Sequence, residues 1–242
     1  MLERKPSLTE QAKVYIKQRI LDGEFEGERI PSETELASEL GVSRTTIRDA
    51  LSRLEIEGVI YRKQGSGTYV NEPGLQIKTR LEEIWSYEAV LKAHGYTPST
   101  RILGVQTAPA GPDLAAELNL APDAAVITVE KLFLEDEEPV IFTRNQIPSA
   151  LLTEPYEREA WAQPVYQFLS NYGRQRLTYY ISEIIPIIAS PGLAEILHIA
   201  EGVPLISFSE IGYNEDNEPV LRAYSYLRDD LLRLRLIRRK IT

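Results

Sequence analysis

Gly41-Val42-Ser43-Arg44-Thr45-Thr46-Ile47-Arg48-Asp49-Ala50-Leu51, residues 41–51, read GVSRTTIRDAL and place two arginines four residues apart on a predicted helix. Ser43 suits an N-cap, because its hydroxyl can accept from an unpaired backbone N–H of the first turn. Ile47, Ala50, Leu51 and Leu54 then recur at helical spacing, and Gly58 ends the pattern. At 100° per residue Arg44 and Arg48 lie about 40° apart and point away from that apolar face. Like charges at i and i+4 repel, and the positive helix N-terminus opposes Arg44 as well. Helix energetics therefore does not account for the pair. An isolated R-x-x-x-R is usually a solvated face with a carboxylate such as Asp49 or Glu55 nearby. The elements around it decide between that and a polyanionic partner.

Outward from this helix, short-range signals set the order of elements. Ser7-Leu8-Thr9-Glu10 has the S-x-x-E form of a capping box, and Leu8, Ala12, Tyr15, Ile16 and Ile20 follow at helical spacing up to Gly23. Ser32-Glu33-Thr34-Glu35 is a second such box, preceded by Pro31, followed by Leu36, Ala37 and Leu40, and stopped by Gly41. Residues 59–62 and 68–70 read as strands joined through Lys63-Gln64-Gly65-Ser66-Gly67, whose glycines permit positive φ and a close backbone approach to another surface. Helix, helix, tight turn, helix and hairpin is the winged helix-turn-helix order. In that motif the first turns of the second helix enter the DNA major groove. An arginine there donates two hydrogen bonds to guanine O6 and N7, a contact that discriminates by roughly 1–3 kcal/mol. Ser43, Thr45 and Thr46 suit phosphate hydrogen bonds or a thymine methyl.

Composition bounds the remaining classes. A chain of 242 residues with 43% hydrophobic and 26% charged side chains suits two folded domains. There is no cysteine, and His94 and His198 stand far apart, so no catalytic residue, metal ligand or cofactor is assigned. No run approaches the roughly 18 apolar residues of a membrane span, and MLERKPSLTEQ lacks the apolar core of a secretory signal. The expectation is a cytoplasmic protein without a membrane partner. Net charge is −9, which argues against nucleic acid only until it is divided. Residues 1–74 hold 11 basic against 13 acidic side chains, and the rest 16 against 23, so −2 and −7 respectively. The expected boundaries are a winged domain over 1–72, a linker over 73–78 containing Pro73-Gly74, and a second domain over 79–242.

That second domain reads as α+β. Strand-like runs cover 100–107, 126–135, 140–147, 177–189, 205–213 and 220–227. Asp136-Glu137-Glu138 and Asn214-Glu215-Asp216-Asn217-Glu218 are polar turns that make antiparallel hairpins of their neighbours. Helices are expected over 81–95, 112–118, 165–171 and 191–197, and the tail LLRLRLIRRK, 231–240, alternates as a closing strand.

Ile30-Pro31-Ser32-Glu33, Glu35-Leu36-Ala37, Gly41-Val42-Ser43-Arg44, Thr46-Ile47-Arg48, Ala50-Leu51, Glu57-Gly58 and Gly65-Ser66-Gly67-Thr68-Tyr69-Val70 stand at one family's spacing. This stretch, residues 8–71, resembles the DNA-binding domain of the GntR family of bacterial transcription regulators. The resemblance implies that Arg44 and Arg48 read bases, that Ser32, Thr34, Ser43, Thr45 and Thr46 face DNA, and that Gly65, Ser66 and Gly67 carry the wing into the minor groove. Many members have arginine where Thr34 stands and a basic or polar residue at Ser66. Losing those cations predicts weaker phosphate attraction and a shifted sequence preference.

Gly95-Tyr96-Thr97-Pro98-Ser99-Thr100, Glu138-Pro139-Val140 before Ile147-Pro148, Val165-Tyr166-Gln167-Phe168-Leu169 before Tyr172-Gly173, and Glu218-Pro219-Val220 before Ser225-Tyr226-Leu227-Arg228 recur in a second pattern. Over residues 76–236 the chain resembles the chorismate-lyase-like (UTRA) effector-binding domain of the GntR subfamily that includes the histidine-utilisation repressor. The resemblance implies a small-molecule effector. Sugar-phosphate-sensing relatives hold their anion with two arginines on one strand and orient sugar hydroxyls with carboxylates. The corresponding positions here are Lys131 and Phe133 for the arginines, Thr143 and Leu221 for the carboxylates, and Tyr224 for a further arginine. Tyr166 is kept, and Glu183 matches a frequently acidic position. One ammonium, a phenyl ring and two phenols fit a ligand with at most one strong anionic group and some planar surface, since phosphate is best held by forked guanidinium donors. The reading is a repressor that binds a double-stranded DNA operator as a homodimer under control of an effector. The competitors are an assembly protein whose second domain only dimerises and an enzyme of lyase type.

Overall fold

Ser7 and Ser32 both begin helices, yet their boxes close differently in the structure, a computed structural model that describes residues 6–25, 28–77, 81 and 83–228. Ser7 Oγ accepts from Glu10 N at 3.2 Å and opens α1, Leu8–Leu21. The Glu10 carboxylate, however, goes to Lys13 at 2.7 Å and Arg53 at 3.2 Å. Two nearby cations outcompete a backbone N–H, so only the hydroxyl half of the first box forms. At Ser32 both halves form, with Glu35 N donating to Ser32 Oγ at 3.3 Å and Ser32 N donating to Glu35 Oε2 at 2.7 Å. Between these helices lies the short strand β1, Arg29–Ile30, which the sequence pattern does not reveal. Helix α2, Glu33–Leu40, ends at Gly41 in the left-handed region, φ 64°, which turns the chain at once into α3, Arg44–Ile56. Strands β2, Ile60–Lys63, and β3, Gly67–Val70, follow, and the sheet order is β1-β3-β2. Ile16, Leu36, Ile47, Ala50, Leu51, Leu54, Val59 and Ile60 form the core.

The expected linker begins later than its Pro-Gly pair indicates. Residues Glu72–Leu75 form the helical turn α4, and Leu75 packs on the winged core. Asn71 Nδ2 donates to the Gly58 carbonyl at 2.8 Å, and a Cβ on Gly74 would lie 1.9 Å from that same oxygen. Gly74 is thus a close-approach residue and not a flexible joint. The described residues up to Ile77 form one compact unit and those from Leu81 a second. Residue 78 of the linker and the predicted strand at 231–240 lie outside the described residues.

The second unit contains α5, Tyr87–Ala93; β4, Pro98–Pro109; α6, Gly111–Glu117; β5, Ala125–Glu135; and β6, Glu138–Pro148. Two 3₁₀ turns, Ser149–Leu151 and Arg158–Ala162, precede α7, Val165–Gly173. Then come β7, Leu177–Ile188; α8, Pro191–Leu197; β8, Pro204–Asn214; and β9, Pro219–Arg228. The six strands form an antiparallel sheet in the order β4-β5-β6-β9-β8-β7. The tight β5–β6 turn puts Asp136 and Glu137 at positive φ, and Asn214 Oδ1 organises the β8–β9 turn by accepting from Asp216 N and Glu218 N. The expected helix over 81–95 is shorter: Ser86 caps α5, and Leu81 and Trp85 instead pack as an irregular cover on the cluster around Phe133 and Phe208. Their apolar spacing reflects a shared need for burial, not helical phase.

Register fixes what faces what. Lys131 pairs with Thr143, Thr143 with Ser225, Ser225 with Phe208 and Phe208 with Ile184, a row across five strands. The next row on that face runs Val129, Asn145, Ala223, Glu210 and Ser182. On one side of these rows lies an apolar cluster with Trp161, Phe168 and Leu221, and on the other the cluster of Val90, Leu91 and Leu227. The opposite face of the sheet packs Leu132, Phe142 and Leu205 with α8 residues Ala194 and Leu197.

Candidate functional site

The winged unit presents one polar face. Arg44 is the first residue of α3 and stands exposed, with no ion-pair partner among the described residues. Arg48 is also exposed, but Glu33 holds it through Nε and Nη2, each 3.2 Å from Oε2. Its carboxylate neighbour is thus neither Asp49 nor Glu55; Glu55 lies 3.3 Å from Arg62 Nε. Thr34 and Thr45 are exposed. Ser43 and Thr46 are tied to each other, Oγ to Oγ1 at 2.8 Å, while Thr46 N donates to Ser43 Oγ at 3.1 Å. Ser32 is occupied by its own cap. These three hydroxyls hold the helix starts in place, and the face offered outward consists of Arg44, Thr45, Arg48 and Thr34.

In the wing, Gly65 and Gly67 both adopt positive φ, 72° and 136°, as the sequence requires of that turn. Ser66 is not an open tip: its hydroxyl shares a 2.7 Å hydrogen bond with Tyr69, whose ring stacks on Tyr61 at 5.6 Å. Arg29 covers the hairpin, its Nε 3.2 Å from where a Gly67 Cβ would sit. Arg62 reaches the Arg48 carbonyl at 3.4 Å and Ser52 Oγ at 3.3 Å. Arg29 and Arg62 are thus the cations that pack beside the hairpin, and nothing in the local sequence pattern marked them out.

The second unit contains a cavity of about 400 Å³. Its floor is those two rows of the sheet except Val129, and its walls include residues 83–88 and Pro164, Val165 and Tyr166 at the start of α7. Lys131, Phe133, Thr143 and Tyr166 all line it. The other three residues singled out in the sequence do not. Leu221 points to the same face but is fully buried in the apolar cluster beside the cavity. Tyr224 is one residue from the lining Ser225 and so faces the other side, where the Arg222 guanidinium lies over its ring at 4.2 Å. Glu183 likewise points outward, between Ser182 and Ile184 of the lining. Alternation along a strand excludes Tyr224 and Glu183, and position along β9, two residues beyond the lining Ala223, excludes Leu221.

Lys131 is only 3% exposed. Its Nζ donates to the Gln163 carbonyl at 3.0 Å and lies 5.6 Å from the centre of the Phe133 ring. Burial lowers its pKa to about 8, and Glu88 offsets part of that fall. Burial pushes the Glu210 carboxyl up, against a hydrogen bond from Ser182 and the field of Arg222. The phenols of Tyr87 and Tyr180 are also raised, by burial first and then by Glu210. The cavity therefore combines one weakened ammonium, the three carboxylates of Glu83, Glu88 and Glu210, several phenols and the rings of Phe133, Phe208 and Trp85. Glu88, Glu210 and Tyr180 were not singled out from sequence. A carboxylate at Glu210, in phase with Ile206 and Phe208 on an otherwise apolar strand face, was the signal available for one of them.

A winged helix with two solvent-exposed arginines on its third helix, joined in one chain to a sheet that encloses a metabolite-sized cavity, defines a DNA-binding regulatory protein with a sensor. Residues 8–70 match the family described as bacterial regulatory proteins, gntR family, and residues 93–233 match the UTRA domain. The chain belongs to the GntR family, in the branch that carries a UTRA domain. It is 29% identical over 216 residues to the transcriptional repressor NagR of Bacillus subtilis, covering 89% of this chain and 88% of the relative. It is 29% identical over 178 residues to the histidine utilization repressor of Pseudomonas aeruginosa, covering 74% and 70%. Among solved structures, YydK from Bacillus subtilis aligns with a TM-score of 0.75 at 16% identity over 97% of this chain and 100% of that one. PhnF from Mycobacterium smegmatis aligns at 0.60 and 22% identity over 94% and 99%. At such identities these two bear on the fold alone. Among the described residues no helix is long and apolar enough to cross a membrane.

Proposed function

We propose that this chain is a cytoplasmic transcriptional repressor that binds an operator as a homodimer and changes its operator affinity when a small metabolite fills the cavity of the UTRA unit. The observation that carries this reading is a lysine 3% exposed and, among the described residues, unmatched by a carboxylate within hydrogen-bond reach, set in the floor of a ligand-sized cavity in a protein that also presents Arg44 and Arg48. Arg44 and Arg48 are the base readers, with Thr45, Thr34 and the wing about Gly65 placing the unit on the backbone. Lys131, Phe133, Thr143 and Tyr166 contact the effector. The protein recognises its ligand without turning it over, in keeping with relatives named as repressors.

Two observations support the homodimer. A helix-turn-helix pair reads two half-sites of a pseudo-palindromic operator. Edge strand β7 also leaves Ile181 57%, Ile185 40% and Ile188 62% exposed, an apolar rim that a symmetric partner would cover. The ligand carries at most one strong anionic group, because a single ammonium replaces the arginine pair of sugar-phosphate sensors. Operator selection from random DNA, followed by affinity measurements with and without candidate metabolites, tests the reading. Operator affinity that no metabolite alters would leave only a DNA-binding assembly protein. Micromolar calorimetric binding of hexosamine phosphates would contradict the ligand assignment.

A further inference from the structure

One atom of the cavity is left without a partner by everything described around it. Glu88 Oε1 accepts from Thr100 Oγ1 at 2.8 Å, but Glu88 Oε2 is buried and has no hydrogen-bond partner among the described residues. A desolvated carboxylate oxygen without a donor is costly, and native proteins keep such atoms where function completes them. Lys131 is the cation of the cavity, yet its Nζ donates to the Gln163 carbonyl and not to Glu88. On the floor, Glu210 faces the cavity and accepts from Ser182. Arg222, whose field reaches Glu210, donates to the Glu210 backbone carbonyl at 3.0 Å, to Glu117 at 2.8 Å and to Ser209 at 2.8 Å. Three carboxylates, the exposed Glu83 and the half-buried Glu88 and Glu210, therefore line the cavity against one ammonium. Beside them four rings meet: Trp85 lies 5.5 Å from Tyr87 and 6.4 Å from Phe208, and Tyr87 lies 5.1 Å from Phe133. Aromatic faces attract a cation that has left water.

Building on the effector reading above, we infer that the ligand is an amino-carboxylate zwitterion. Its ammonium sits among Glu88, Glu210 and the rings, and its single carboxylate meets Lys131. Each alternative leaves a group unmatched. A neutral sugar or simple acid brings no cation to Glu88 and Glu210, a simple amine leaves Lys131 without an anion, and a phosphate dianion needs more donors than one lysine supplies.

The test uses the full chain and matched triplets of probes, titrated calorimetrically: 6-aminohexanoate, hexanoate and hexylamine; and L-phenylalanine, 3-phenylpropionate and 2-phenylethylamine. In at least one triplet the zwitterion binds about tenfold or more tighter than either single-ion member, and Glu88→Gln and Glu210→Gln each remove about tenfold for the zwitterion while sparing the plain acid. The thermal midpoints of the unliganded variants show whether they fold. Plain acids that bind as tightly as zwitterions, with loss in Lys131→Met but not in Glu88→Gln or Glu210→Gln, would overturn the zwitterion and keep the effector reading. Absence of binding by all six probes also overturns the zwitterion. Operator release by the small-molecule fraction of a cell extract then decides the wider reading: release that Lys131→Met abolishes keeps it, and no release removes both.

Discussion

In the winged unit Arg44, Thr45 and Arg48 stand in solvent on the outside of α3, whereas in the sheet unit Lys131 is 3% exposed and Glu88 Oε2 is buried without a donor. The two sets of charges are held at different cost. A solvated arginine loses little before DNA arrives, and its pairing with Glu33 is an exposed contact worth about 0–1 kcal/mol. A buried lysine destabilises its own fold until an anion joins it. On the proposed function, DNA recognition is therefore built on a unit that gives up little stability for it, and metabolite recognition on one that gives up a good deal.

Leu221→Ala should lower the stability of the sheet unit by about 2–5 kcal/mol in denaturant unfolding, because Leu221 is core. A loss well under 1 kcal/mol would put the residue at the ligand instead. Lys131→Met should do the reverse and stabilise the unliganded protein by about 1–3 kcal/mol while abolishing effector binding. The wild-type penalty has a pH signature. The folded-state pKa of Lys131, about 8, lies below that of an ordinary lysine, so the wild type gains stability as pH rises through and above that value, and the variant lacks this gain. A bound anion favours the ammonium, so effector affinity should hold below about pH 8 and fall as pH climbs above it.

On the winged side the effects move from folding to binding. Arg48→Ala should cost roughly 1–3 kcal/mol on the operator and much less on random DNA, with a stability change within about 1 kcal/mol. Equal losses on both DNAs would reduce Arg48 to phosphate neutralisation. The smallest effect separates the two caps. Ser32→Ala should cost about 1 kcal/mol of stability, and Ser7→Ala less, since only the Ser32 box closes both ways.

The same contrast explains what could be read from sequence. Caps, glycine stops and the helical phase of Ile47, Ala50 and Leu54 act over three or four residues, so the winged unit was legible nearly element by element. Its surprises, β1 and α4, depend on distant partners: Tyr69 and Thr68 for one, the Gly58 carbonyl for the other. In the sheet unit the six strands were legible from alternation, but alternation leaves two faces and says nothing of strand order. The row from Lys131 through Thr143 and Ser225 to Phe208 is assembled by register between strands far apart in the chain. One step along β9 separates Tyr224, outside, from Ser225, inside. Glu88 was hidden for another reason: its apolar neighbours imitate a longer helix.

In the proposed function one ligand couples the two units, and linkage makes that coupling measurable. A ligand that alters operator affinity must have its own affinity altered by the operator by the same factor, typically about 5–150-fold. Operator binding by the full chain should be titrated with and without a saturating effector, and effector binding with and without operator. Equal factors in the two directions in the wild type, both lost in Lys131→Met, are predicted. Operator affinity unchanged at saturating effector would contradict the account.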